Sequence, residues 1–192
     1  MRVLTCLAVV VVAAVLTACG NPLALLPASI NNSVDTVEMY SVNGTALDRP
    51  SAYIVAERRP VKLGVDATRY NFDFVYRLTP TGPEFAPYAV VAANNDTTVT
   101  SGKSAFQVTT TAFDAITIAE QTGYEPNKAL KLVVGQVMYV RSAIPNGCYL
   151  SIPYYAKIEI LSFDLTAKSV KFRILVDINC GYRGLAPGIP TK

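Results

Sequence analysis

The chain has 192 residues, 51% of them hydrophobic, with 17 Lys and Arg against 14 Asp and Glu and no histidine, a net charge of +3. Its basic residues are scattered and Arg58-Arg59 is the only adjacent pair, so the basic stripe of a nucleic-acid binder is missing and no nucleic-acid partner is expected. The absence of histidine removes the usual general base and the Ser-His and Cys-His nucleophile pairs.

The chain opens on Met1-Arg2-Val3, runs apolar from Leu7 to Leu16, and continues in small residues to Cys19. Charged start, apolar core and small-residue end are the parts of an export signal. The apolar run is about half the roughly 20 residues that a membrane-spanning helix needs. Leu16-Thr17-Ala18-Cys19 resembles the lipobox of bacterial lipoproteins. The resemblance implies that residues 1–18 are removed as a signal peptide, that Cys19 becomes the first residue and carries diacylglycerol and a further acyl chain, and that the partner of this end is a membrane. The alternative is an ordinary secretory leader with an incidental cysteine. Gly20 stands where an aspartate would be a retention signal, which resembles sorting to the outer membrane. Each buried methylene contributes about 0.8 kcal/mol and one chain binds only marginally, so several chains make a lasting anchor.

Gly20 to Ser33 has two prolines, paired asparagines and no periodicity, so residues 19–33 read as lipidated cysteine and tether. Residues 34–180 read as a single all-β domain, antiparallel and sandwich-like. Val34–Val42 and Ala52–Val65 are strand-like, the second interrupted at Arg59-Pro60, with Arg58-Arg59 in a solvated turn. From Tyr70 to Thr79, strand period places Tyr70, Phe72, Phe74, Tyr76 and Leu78 on one face and Asn71, Asp73, Arg77 and Thr79 on the other. Those large side chains line either a sheet core, the preferred reading, or a ligand pocket. Tyr88–Ala92 and Ala105–Thr111 read as extended, and Asn94–Lys103 as an exposed loop. Phe113–Gln121 is a short helix or an irregular crossover. Leu130–Arg141 is two strands, or one bent at Gly135. Ala156–Leu161 and Val170–Ile178 alternate on either side of an Asp164–Lys168 turn and read as an antiparallel hairpin. The glycine- and proline-rich residues 181–192 form a surface or frayed tail.

Cys6 leaves with the leader and Cys19 takes lipid, so Cys148 and Cys180 remain, and an exported chain favours a disulfide between them. Zinc is the sharper alternative, but without histidine its usual four ligands are hard to assemble, and no metal site is expected. If the hairpin turns near Thr166, residue 180 falls opposite about residue 152, beside Cys148. A bridge there stabilises the fold by roughly 3–4 kcal/mol.

Phe113-Asp114-Ala115-Ile116-Thr117 with Gly123-Tyr124, then Val137-Met138-Tyr139-Val140-Arg141, Tyr155-Ala156-Lys157-Ile158 and the strand through Phe172 resemble the C-terminal half of HmuY-like lipoproteins. The resemblance covers about residues 112–178. It implies a β-rich, lipid-anchored surface protein, and the best-known members bind haem through paired histidine or methionine ligands. Here only Met39 and Met138 remain after leader removal, and Met138 reads as a core gap-filler, so no cofactor is expected.

Carboxylates are dispersed, and Lys103-Ser104 lies in the polar loop without an S-x-x-K context, so no catalytic residue is assigned and no enzyme is expected. Two functions stay open: non-catalytic binding of a small molecule or partner protein at the cell envelope, and a structural or assembly role in an envelope complex with no small ligand. A pocket rimmed by Tyr70, Tyr76, Tyr88, Tyr124, Tyr139, Tyr149, Tyr154 and Tyr155 favours the first, and a flat exposed apolar patch the second.

Overall fold

The computed structural model describes residues 25–63, 72–94, 103–145 and 147–191. The leader, Cys19 and Tyr70 lie outside them, as does most of the expected Asn94–Lys103 loop. Among the described residues ten strands form two antiparallel five-stranded sheets, as the alternation predicts: β1 (Val34–Tyr40), β2 (Ala52–Ile54), β3 (Arg59–Val61), β4 (Phe74–Thr79), β5 (Gly82–Pro87), β6 (Ala105–Thr109), β7 (Leu130–Lys131), β8 (Val137–Arg141), β9 (Tyr155–Asp164) and β10 (Ser169–Asp177). The first sheet is ordered β1-β10-β9-β8-β6 and the second β3-β2-β4-β5-β7.

The β9–β10 hairpin pairs Asp177 with Tyr155 and Ser169 with Asp164, with one register shift between Lys171 and Phe172. Asp164 closes the turn by accepting from the backbone N–H groups of Thr166 and Ala167 at 2.9 and 2.8 Å. This is the local side-chain-to-backbone bonding that makes aspartate a turn former. At the open end of the same hairpin Cys148 and Cys180 are joined, with Cα atoms 5.2 Å apart.

Rings from both sheets meet between them. Phe74 lies 4.9 Å from Phe85 and 5.2 Å from Phe106, and Phe85 lies 5.5 Å from Phe172. Tyr53 stacks on Phe74 at 5.5 Å. Such pairs contribute about 0.5–1.5 kcal/mol each beyond the burial of their area, which makes this cluster the main fastening of sheet to sheet. Met39 and Met138 are fully buried in the same core.

Two local expectations are corrected, and two left open are settled. Tyr88–Ala93 is a helix, α1, and not an extended segment: after Pro87 its alanines at 89 and 92, three apart, fall on one buried side. Arg59 and Pro60 do not interrupt a strand but belong to β3, an edge strand, where a residue without an N–H donor is tolerated. The turn instead occupies residues 55–58, with Arg58 at φ 54. Phe113–Gln121 is an irregular crossover with one 3-10 turn at Phe113–Ala115. The Leu130–Arg141 stretch is two strands that belong to different sheets. Gly135, at φ +79, turns the chain between them, a backbone conformation that glycine adopts without steric cost.

The crossover is held to the first sheet by a buried lysine. Lys157, 2% exposed, donates from Nζ to the carbonyls of Phe113 and Ile116 at 2.7 and 2.8 Å and lies 4.4 Å from the centre of the Phe113 ring. Burial pushes its ammonium below the ordinary lysine range, Asp114 opposing and Arg173 assisting. Arg173 also lies over that ring, 4.2 Å from its centre, and pairs with Glu159 and Asp114.

Both ends of the domain extend beyond 34–180. In the expected tether, Asn32 pairs with Gly188, and Ser29 and Ile30 donate backbone N–H bonds to Asn179 Oδ1 at 3.0 and 2.9 Å. Residues 181–191 are a docked surface segment, not a frayed one: Gly184 pairs with Ile118, and Leu185 is fully buried.

Candidate binding cleft

Asp73 is the residue on which the second sheet's end is organised. It is 4% exposed, just before β4, and each carboxylate oxygen accepts one backbone N–H: Oδ2 from Val55 and Oδ1 from Ala143, both at 2.7 Å. Its own N–H donates to the Tyr53 carbonyl at 2.8 Å. Its carbonyl accepts from the Ser104 hydroxyl and, at 2.9 Å, from the Tyr88 N–H. One residue thus ties the turn after β2, the loop after β8, the start of α1 and the start of β6. Burial pushes the carboxyl up to about 6, while the two backbone N–H bonds act the other way.

Above this latch is a cleft of about 320 Å³. Ile54, Phe72, Ile144 and Pro145 give it apolar walls, and Glu57, Asp73 and Tyr154 give it polar ones. Glu57 is paired with Arg59 at 2.6 Å. The loop that forms one wall is fixed twice, by the Ala143–Asp73 bond and by the disulfide at Cys148, and Ser142 adds two bonds with Tyr154, its N–H donating to the Tyr154 carbonyl and its hydroxyl accepting from the Tyr154 N–H, both at 2.9 Å. With both Asp73 oxygens already engaged and Glu57 ion-paired, the arrangement can orient a ligand by shape and by residual acceptor capacity.

The tyrosines expected to rim a pocket do not converge. Tyr154 alone among the eight lines this cleft within the described residues. Tyr76 is fully buried in the inter-sheet core, and Tyr88 packs edge-on against Phe72 at 5.1 Å. Tyr124, Tyr139 and Tyr155 belong to a separate cluster with Phe113 and Leu185, and Tyr149 is exposed and bonded through its hydroxyl to the Leu26 N–H. Lys103-Ser104 is also corrected: Ser104 is buried and bonded to Asp73, while the Lys103 ammonium bonds Asn127 at 3.1 Å. Cys148 and Cys180 meet as the hairpin geometry predicts.

Sequence reasoning missed Asp73, Val55 and Ala143 as a unit. The available signal was a lone acid flanked by Phe72 and Phe74, a position where a carboxylate needs donors. Among the described residues no group of three His, Cys, Asp or Glu side chains is placed to hold a metal ion. The fold and cleft define the molecule as an all-β sandwich with an end cleft braced by one buried carboxylate and one disulfide. No protein-family model matches the chain, and no curated protein or solved structure compared with it gives a match.

Proposed function

We propose that the protein is a lipid-anchored module of the bacterial cell envelope, held at the outer membrane through Cys19, that binds a small molecule or a short element of a partner non-catalytically in the Asp73 cleft. The cleft itself carries this reading. At about 320 Å³ it is at the small end of ligand-site volumes, and its walls are braced before any ligand arrives, which lowers the ordering cost of binding. Asp73 and Glu57 are both engaged by partners within the protein, which favours holding a ligand over transforming one. The anchor rests on Leu16-Thr17-Ala18-Cys19 and its resemblance to a lipobox.

Two experiments test the parts separately. Cys19→Ala abolishes incorporation of labelled fatty acid and leaves an uncleaved or released chain; undiminished labelling contradicts the anchor. Haemin titrated into the domain gives no sharp low-spin Soret band, because the two methionines outside the leader, Met39 and Met138, are fully buried between the sheets and no histidine exists. A sharp low-spin spectrum contradicts that expectation and makes haem the ligand to pursue.

A further inference from the structure

We infer that the disulfide end of the sandwich is a membrane-resting face, seated on the lipid surface that holds the anchor; this rests on the acylation of Cys19 proposed above. The segment from Leu25 to Ser33 runs across that end and is fastened there. The Leu26 N–H donates to the Tyr149 hydroxyl at 2.9 Å, the Tyr182 hydroxyl donates to the Leu26 carbonyl at 3.1 Å, and Asn179 Nδ2 donates to the Ile30 carbonyl at 2.9 Å. Leu25 lies against Gly181 so closely that a Cβ at that glycine would fall 2.1 Å from Leu25 Cδ1.

Cys19 stands six residues before Leu25 in the sequence. At no more than about 3.6 Å per residue, the lipid on Cys19 lies within about 20 Å of this end. The β9–β10 turn is at the opposite end of a ten-residue strand, about 30 Å further off at 3.3 Å per residue. The anchor's reach therefore admits one end of the molecule to the bilayer and not the other.

The chemistry of that end agrees with its position. Leu25, Leu26 and Tyr149 are 45%, 60% and 47% exposed, and Ile144 in the neighbouring loop is also exposed. Residues 25–33, 142–145, 147–153 and 178–182, the segments that meet around the disulfide, contain no Asp, Glu, Lys or Arg, in a chain in which 16% of residues are charged; charge stands only at the margin of this face, where Arg58 donates to the Asn31 carbonyl and the Ser33 hydroxyl at 3.1 and 2.8 Å and Glu57 lines the cleft beside Ile144. A charged side chain pressed towards acyl chains loses its hydration at a cost of several kcal/mol, whereas tyrosine sits at the level of the lipid headgroups and leucine at the headgroup–acyl boundary. Exposed Leu25 and Leu26, with the backbone of Leu26 held by two tyrosine hydroxyls, beside the attachment point and with charge only at the margin, fit a lipid surface as their occupant.

The test uses the processed full chain in nanodiscs of phosphatidylethanolamine and phosphatidylglycerol doped with a gadolinium-headgroup lipid, after the mass of the N-terminal peptide has established whether Cys19 is acylated. The amides of Leu26, Ile30 and Tyr149 broaden several-fold more than those of Leu165–Lys168. Leu25→Ser with Leu26→Ser reduces the difference while acylation is unchanged, and Tyr149→Asp does the same by placing a charge on the face. Equal broadening at the two ends of the acylated wild-type chain, or stronger broadening at Leu165–Lys168, overturns the membrane-resting face and leaves the anchor standing. An unacylated Cys19 overturns the anchor itself and the face with it.

Discussion

A chain in which Cys148 and Cys180 are both alanine unfolds about 3–4 kcal/mol more easily than the oxidised protein, the stabilisation that chain-entropy arguments give a bridge spanning this many residues. The separation is 32 residues, and urea unfolding of the two proteins under identical conditions measures the difference. The sandwich itself persists, because the inter-sheet ring cluster contains neither cysteine. The loop between β8 and β9 also loses its local tie, so exchange of the Ala143 amide, which donates to Asp73, accelerates more than that of the β9 and β10 amides, which speed up only by the global loss. A stability difference under 1 kcal/mol, or uniform acceleration of exchange, contradicts this picture.

Asp73→Ala has an effect of similar size by a different route. It leaves the N–H groups of Val55, buried, and Ala143, half-buried, without their acceptor, and each such loss costs about 1–3 kcal/mol, so the variant is destabilised by about 2–6 kcal/mol. The effect also depends on pH, with a sign set by the direction of the shift. The folded carboxyl titrates near 6, above its ordinary value of 3.8, so the folded protein holds this proton more tightly than the unfolded chain. The contribution of the group to stability is complete below the unfolded value and is lost as pH rises through about 6. The advantage of the wild type over Asp73→Ala therefore grows as pH falls from about 6.5 to about 4, by on the order of 2 kcal/mol. Asp177 is raised by burial as well, and comparison with the single variant cancels its contribution. An advantage that shrinks over that range contradicts the assignment. Because Asp73 and the disulfide brace the same loop, the two losses combine less than additively.

The hairpin and its disulfide were legible in the sequence because their determinants are local. Alternation from Ala156 and from Val170, with Asp164 as the turn former between them, fixes the register to within a residue, and that register brings position 180 opposite 152. Tyr88–Ala93 was opaque for the converse reason. YAVVAA offers no polar positions to show a period, and the choice of helix was made by two alanines packing inward after Pro87. Asp73 lies on the strand parity opposite the aromatic face, which alternation alone presents as the polar side. Its donors are 18 and 70 residues away, so neither spacing nor propensity marks them. The tyrosines illustrate the same limit. Composition reveals that they are numerous, but which of them reach one cleft is decided by strand order, and strand order sends Tyr76 to the core and Tyr155 to the sheet's other side. Residues 25–33 and 181–191 look like linker by composition because they pair with each other, with Asn179 and with Thr117 to Ala119, pairings that local sequence does not mark, most of them more than sixty residues apart.

The most direct measurement is the native mass spectrum of the protein released gently from the membranes in which it is made. The expected spectrum shows a chain that begins at Cys19, carries the mass of diacylglycerol and a further acyl chain, lacks the two hydrogens of free Cys148 and Cys180, and includes a small-molecule adduct that is missing from Asp73→Ala. A chain that begins elsewhere without acyl mass contradicts the anchor, and a ligand-free wild-type spectrum identical to that of Asp73→Ala contradicts small-molecule binding in the cleft.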